Sequence, residues 1–337
     1  MAPHLILAST SRWAVIDALR GFALCGILIV NIPDIVQLGY RLEINSVGAL
    51  GREPLDWLVQ TRFIPIFTLL FGMSLTFVAN GARQRERRPW LALVARLMAL
   101  FVIGFLHSLI YPGEVLREYA TLGLLVAPVA LLAPRAVQLV FGAVLLVAAY
   151  VATGGGLAAT PGLMLLGSAL GSYGLGRALD TKSRAVAITF AISLVLLIPA
   201  LFWQGTTPGD PRFSTAGSVA GLVMASLYAT GLSFIWVTPA RSLVIQLFEP
   251  LGRMSLSNYV GASSIAFSVS KVIDFTTMTT MWPALLLTVG ILVTQNISSR
   301  VWLHYFNYGP LEWIWRMATW REPISLLAPS PRMSTAV

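Results

Sequence analysis

Residues 13–32 read WAVIDALRGFALCGILIVNI, an apolar run long enough to cross roughly 30 Å of hydrocarbon as a single helix. Asp17 and Arg20 in its opening turns set it apart from a cleavable secretion signal, whose core is uncharged, so the segment is expected to stay as a membrane span. Outward from it, further apolar stretches fall at about 57–79, 90–110, 116–133, 136–153, 162–179, 184–203, 216–237, 255–273 and 281–303, each close to a membrane thickness in length. They are too long and too continuous for the short alternating strands of a barrel, and a helix satisfies its own backbone in lipid. The fold class is therefore all-α: a polytopic integral membrane protein of about ten transmembrane helices. A re-entrant or interfacial segment near 154–164 is the one place where that count is open.

Composition agrees. Of the 337 residues 56% are hydrophobic and only 11% charged, where an ordinary soluble domain carries roughly 25% charged residues. Mean hydropathy is +0.77. Ten spans of about 20 residues occupy roughly 200, which leaves short loops and no room for a separate soluble catalytic or receptor domain. A net charge of +9 would point to nucleic acid in a soluble chain, but Arg-rich cytoplasmic loops give the same balance in a membrane protein, so no nucleic-acid partner is expected. The single cysteine, Cys25, forms no intrachain disulfide and no Cys cluster offers a metal site, so no metal is expected either. A Walker loop is absent, which argues against an ATP-driven pump.

Orientation follows from Lys and Arg. The connection holding Arg83, Arg85, Arg87 and Arg88 is assigned to the cytoplasm, and alternation then puts Arg12, Arg135, Arg177, Lys182, Arg184, Arg241, Arg300, Arg316 and Arg321 on the same side. The acidic residues Asp34, Glu43, Glu53, Asp56, Glu114, Glu118, Asp210 and Asp274 fall opposite. Ten spans with both termini cytoplasmic fit this bias. From Tyr305 the chain changes character: Tyr305, Phe306, Tyr308, Trp313, Trp315 and Trp320 alternate with Glu312, Arg316 and Arg321, which reads as an aromatic belt and an interfacial helix on the inner surface. The last residues, from about Ala328, are expected to be disordered. The chain thus divides into an N-terminal transmembrane half (1–153), a C-terminal transmembrane half (154–304) and an interfacial aromatic and basic tail (305–337). Small residues in the run 166–176, LGSALGSYGLG, are spaced for close helix packing.

Ionisable groups at membrane depth are costly unless paired or hydrated, so they mark candidate sites. On the outer side Asn31 and Asp34 end the first span and Arg62 opens the second. His107 ends the third, just before Tyr111-Pro112-Gly113-Glu114 and Arg117. A histidine followed across a Pro-Gly turn by a carboxylate has the spacing of a general base and its orienting group. The same residues admit a structural reading, with His107 bonded to a backbone carbonyl and Glu114 paired with Arg117 on the surface. On the inner side Asp17 and Arg20 lie three apart on one helix face, as a simple ion pair would. They also have the chance to meet Arg253, Asn258 and Gln295 near the inner ends of the last two spans, a cluster suited to an anionic head group or nucleotide.

Three N-terminal motifs stand out as a set: Arg12-Trp13-Ala14-Val15-Ile16-Asp17-Ala18-Leu19-Arg20-Gly21, Gly26-Ile27-Leu28-Ile29-Val30-Asn31 and Phe67-Thr68-Leu69-Leu70-Phe71-Gly72-Met73. With Pro250-Leu251-Gly252-Arg253-Met254-Ser255-Leu256-Ser257-Asn258-Tyr259, the lone Gln295 and Tyr308-Gly309-Pro310-Leu311-Glu312-Trp313-Ile314-Trp315-Arg316, they resemble the YeiB-like bacterial membrane proteins over nearly the whole chain. That family is similar in turn to a wider group containing lysosomal heparan-α-glucosaminide N-acetyltransferase. The resemblance implies a protein of the bacterial cytoplasmic membrane, surrounded by lipid, that transfers an acyl group from acetyl-CoA or another acyl-CoA to an extracytoplasmic glycan, lipid or small-molecule acceptor.

In that reading His107 is the general base, Glu114 its orienting carboxylate and Asn31 a donor to the acyl oxyanion. Arg20 and Arg253, with Asp17, Asn258 and Gln295 nearby, face the phosphates of the donor. Departures are specific. The stretch from Asn31 to Asp56 has no histidine where the lysosomal enzyme has its catalytic one, Glu114 stands where the YeiB-like pattern has Asp, and Ala262 and Ser263 stand where a glutamine is common. A transporter or flippase for a lipid or small metabolite, using the same polar residues as a path, is the competing expectation. A homodimer is left open.

Overall fold

The computed structural model describes residues 13–43 and 45–327. The expectations for Arg12 and for the residues from Ala328 lie outside them. In chain order the helices are α1 (Ala14–Ile35), the short α2 (Asn45–Gly48) and α3 (Glu53–Leu58), α4 (Ile64–Gln84), α5 (Pro89–Ser108), α6 (Leu116–Leu132), α7 (Arg135–Thr153), α8 (Thr160–Ser172), α9 (Leu175–Asp180), α10 (Arg184–Thr206), α11 (Thr215–Trp236), α12 (Arg241–Arg253), α13 (Ser255–Ser270), α14 (Trp282–Tyr305) and α15 (Pro310–Trp320). Among the described residues there is no strand, only two isolated bridges, so the chain is all-α as its apolar runs require.

Among the described residues seven helices are long and apolar enough to cross a membrane: α1, α4, α5, α7, α10, α11 and α14. The three other expected spans are helical but shorter, with 17 residues in α6, 13 in α8 and 16 in α13. At 1.5 Å per residue these reach only about 20–26 Å. Local chemistry sets their ends. The span expected at 162–179 breaks at Tyr173-Gly174, where Gly174 takes φ +84°, and restarts as α9. The one expected from 57 begins instead at Ile64, because residues 53–58 form a separate turn of helix and Pro65 suits only the first turn of the next. The segment near 154–164 is a 3-10 turn over Gly156–Ala159 leading into α8.

One helix is new: α12 carries charged and apolar residues on opposite faces, so it has no continuous apolar run to betray it, and it ends at the Met254 break before α13.

The helix that opened the sequence is the centre of the bundle. In α1, 67% of the spanning residues are buried, against 17% in α7 and in α10, which turn most of their surface to lipid. α1 packs against α4, α12, α13 and α14. Two close crossings hold the arrangement. A Cβ on Gly252 would lie 1.7 Å from the Asp17 carbonyl oxygen, and one on Gly21 1.9 Å from that of Phe248, so α1 and α12 touch backbone to backbone. The same happens where Gly72 of α4 meets Met164 and Gly167 of α8 meets Leu69, each with room for hydrogen only, as the small-residue spacing predicts.

The aromatic tail forms α15, and it docks onto the bundle. Trp315 donates its indole N–H to the Arg96 carbonyl of α5 at 2.7 Å, Arg85 stacks over Trp320, and Arg87 bonds both the Trp320 carbonyl and Glu322. Glu312 accepts from the amides of Leu256 (2.7 Å) and Ser257 (3.1 Å) and from the Ser257 hydroxyl (2.5 Å), which satisfies the exposed N–H groups at the start of α13.

Candidate functional site

His107 sits in the last turn of α5, whose end is closed by the amides of Ile110 and Tyr111 returning to the His107 carbonyl. The chain then reverses through Tyr111-Pro112-Gly113, and Glu114 begins α6 by accepting from the Leu116 amide (2.6 Å), the Arg117 amide (3.3 Å) and the Arg117 guanidinium Nε (2.7 Å). A carboxylate at this place satisfies orphan amides and faces the positive end of the helix dipole. Glu114 is 2% exposed, so its pairing with Arg117 is buried on the carboxylate side and not a surface contact. With both oxygens engaged in the cap, Glu114 makes no hydrogen bond to His107. The expected base-and-carboxylate pair is near neighbours without a bond, because the helix start takes the carboxylate first.

The imidazole of His107 is 2% exposed and neither ring nitrogen has a hydrogen-bonding partner. It lies edge-on to Tyr259 of α13, ring centroids 5.1 Å apart, and 6.3 Å from Tyr111. The Tyr259 hydroxyl is also buried without a hydrogen bond of ordinary geometry. Tyr119 of α6 lies close by and its hydroxyl is bonded to Thr68 of α4. Toward the loops, burial pushes the Tyr111 phenol up from its usual value, with the Asp34 carboxylate adding and Arg212 opposing. Asp34 accepts from Arg212 at 2.9 Å and from the Ser46 hydroxyl, and Arg212 also bonds Asp210 at 2.8 Å. Burial alone would raise the Asp210 carboxyl, but the Arg212 bonds win and hold it below the usual range. Asn31 lies one turn before Asp34 on α1, half-buried. Polar groups therefore run from the loops of this end down to His107 and Tyr259.

Arg62, at the same end, is the opposite case. Its guanidinium is fully buried and donates to the carbonyls of Gln60 (2.5 Å) and Trp57 (3.1 Å), to the Thr61 hydroxyl (2.9 Å) and to the Gln204 side chain (2.6 Å). Burial pushes its pKa down to about 10. It ties the loop after α3 to the end of α10.

At the Arg-rich end, Asp17 pairs with Arg20 at 3.0 Å, and the Gly21–Gly252 crossing brings Arg253 beside this turn of α1. Asn258 donates to Ser299 (3.0 Å) and to the Leu251 carbonyl (3.4 Å), and Gln295 donates to the Asn258 carbonyl (2.8 Å), so this pair joins α12, α13 and α14. Two cations escaped the sequence reading as site candidates. Arg96 stacks on Trp315 at 3.5 Å and lies within electrostatic reach of Arg20 and Arg316, itself stacked on Tyr308. Tyr259 escaped too, since nothing in its spacing from His107 links them; only the contact of the two rings in the folded chain does.

Residues 177–322, from α9 to just beyond α15, match the family described as protein of unknown function (DUF418). The chain is 29% identical over 340 residues to an uncharacterized 39.9 kDa protein in the amylase 3' region of Bacillus acidopullulyticus, covering 95% of this chain and 97% of that one. It is 25% identical to the uncharacterized protein YxaH of Bacillus subtilis (93% and 95% covered) and 24% identical to the uncharacterized protein YeiB of Escherichia coli (92% and 97%). No solved structure matches. The α12–α13 break and the docked α15 lie within the residues that match the DUF418 model, and over nearly its whole length the chain is similar to these YeiB-like proteins.

Proposed function

We propose that this protein is a transmembrane acyltransferase of the bacterial cytoplasmic membrane, moving an acyl group from cytoplasmic acyl-CoA to an extracytoplasmic glycan, lipid or small-molecule acceptor. The observation that carries the reading is His107: a buried imidazole with two unpartnered nitrogens, at the end of the bundle where Asp34, Asp210 and Arg212 gather. An unmet buried polar group costs about 1–3 kcal/mol, so an imidazole kept in this state is more economically explained by chemistry than by packing. The resemblance to acyltransferases assigns that chemistry. The proposal places ten spans with both termini in the cytoplasm, His107 toward the outside, and the Arg-rich end toward the donor.

His107 acts as general base on the acceptor. Glu114 shapes the α5–α6 turn that holds His107 and is a positioning residue. Arg20 and Arg253 beside Asp17, joined by Arg96 and Arg316, supply the positive field for the phosphates of acyl-CoA; Asn258 and Gln295 fix α13 and α14 around them. Asn31, beside Asp34, is a candidate donor to the acyl oxygen.

The test uses membrane vesicles holding the protein and radiolabelled acetyl-CoA, with label followed into the lipid and glycan fractions. Labelling should depend on the protein and fall by about 10²–10⁴ in His107→Ala, the range for loss of a general base. Protein-dependent uptake or release of a solute, with no labelled envelope component, would replace this reading by the transporter.

A further inference from the structure

The two His107 ring nitrogens and the Tyr259 hydroxyl are buried without a hydrogen bond of ordinary geometry, and they belong to two rings in contact; the Val115 amide lies against the hydroxyl as a donor, which leaves the hydroxyl's own proton free. Tyr259 is 5% exposed and comes from α13, the helix whose start is fixed by Glu312 and whose Asn258 is bonded to α14 and α12. Its backbone is therefore held firmly on both sides of the ring. Other hydroxyls of similar depth are satisfied: Tyr119 by Thr68, Ser168 by Gln138 and Thr76, Ser233 by the Leu179 carbonyl. A fold that meets these demands and leaves a base and a donor unmet side by side has kept both for one polar guest.

We propose that the Tyr259 hydroxyl is a second catalytic group of the His107 site, donating to the acyl carbonyl oxygen as it becomes an oxyanion. The inference rests on the acyl-transfer reading and assigns to Tyr259 the task that resemblance gives to Asn31. As the acceptor hydroxyl attacks the thioester carbon, its proton passes to a His107 nitrogen and the carbonyl electron pair moves onto oxygen, where the Tyr259 hydroxyl donates. Collapse re-forms the carbonyl and breaks the carbon–sulfur bond. The departing thiolate takes the proton from the imidazolium, giving ester and free CoA.

Tyr259→Phe keeps the ring and removes only the hydroxyl. In the vesicle assay with acetyl-CoA, following CoA release and labelled product together, kcat should fall by about 10²-fold or more, the cost of losing one oxyanion donor, with KM for acetyl-CoA unchanged. Thermal unfolding of the purified variant should stay close to wild type, since the deleted hydroxyl makes no hydrogen bond of ordinary geometry and only lies against the Val115 amide. Asn31→Ala, run beside it, should lower kcat less. Transfer at the wild-type rate in Tyr259→Phe overturns the inference and leaves the acyl-transfer reading standing. A lower unfolding temperature with KM and kcat both changed overturns it as well, because the hydroxyl then serves structure. Absence of transfer in the wild type overturns both.

Discussion

Arg62 and His107 are buried to the same degree at one end of the bundle, yet one donates four hydrogen bonds and the other has none to its ring. A buried guanidinium is tolerable only when most of its donors are met, and Arg62 engages both terminal nitrogens with carbonyls of its own turn, the Thr61 hydroxyl and Gln204, leaving only Nε without a partner. An imidazole can shed its charge, so leaving it unpaired is survivable, at a cost in stability that activity has to justify. The contrast separates a side chain that builds the fold from one that is held ready by it. Depth and charge alone do not distinguish them.

The sharpest way to break the comparison is to remove each in turn. Arg62→Met strands the Gln204 amide oxygen and two backbone carbonyls, and should cost about 3 kcal/mol, as loss of one partner from a buried charged network does. His107→Gln should leave stability within about 1 kcal/mol and abolish transfer. Chemical denaturation in mixed micelles reads the first, and the vesicle assay reads the second. Equal destabilisation by both substitutions would erase the distinction.

A second test moves to the opposite end. Gly252→Ala places a methyl where the Asp17 carbonyl oxygen stands 1.7 Å away, so α1 and α12 must separate. Over-packing of this kind costs about 2 kcal/mol. Because Arg20 and Arg253 flank the crossing, KM for acetyl-CoA should rise more than kcat falls. An effect on kcat alone would unlink that crossing from donor binding.

The same crossing shows what was legible in the sequence and what was not. Apolar runs of about 20 residues announce themselves, and all ten expected segments are helical, seven of them long enough to cross. Breaks were harder. α12 mixes Arg241, Glu249 and Arg253 with Val244 and Phe248, and its amphipathic face has no continuous run for a hydropathy reading to find. The small residues of 166–176 announced a close helix contact because their spacing is local, though not that the partner is α4. His107 and Glu114 were visible as a pair from spacing, but spacing does not say that helix-capping amides outbid the imidazole for the carboxylate. Tyr259 was invisible as a partner, since only the tertiary fold brings its ring to that of His107.

Glu114→Gln sharpens that point at smaller scale. A Gln oxygen still accepts from the Leu116 amide, but the charge against Arg117 and the helix start is lost, for about 1 kcal/mol. Transfer should stay within a few-fold of wild type. A collapse of kcat comparable with that of the His107 variant would restore Glu114 as the orienting group.

The smallest effect is in pH, where the two ends of the molecule carry opposite signs. Asp210 has a folded pKa below its unfolded value, so the stability it contributes is complete above about pH 4 and is lost as the pH falls through the folded value. Glu312 is raised by burial above its unfolded value, with the Ser257 and Leu256 bonds opposing but not cancelling, so its contribution is present below about pH 4 and is lost as the pH rises through the folded value. Unfolding temperatures measured from neutral to acid pH should therefore fall less steeply in Asp210→Asn and more steeply in Glu312→Gln than in wild type. For Asp210, partly exposed, the difference should stay below about 1 kcal/mol. Matching slopes in the two variants would mean that the Arg212 loop and the α15 dock respond to protons through some shared group, and the separation of the two ends drawn from their hydrogen bonds would not hold.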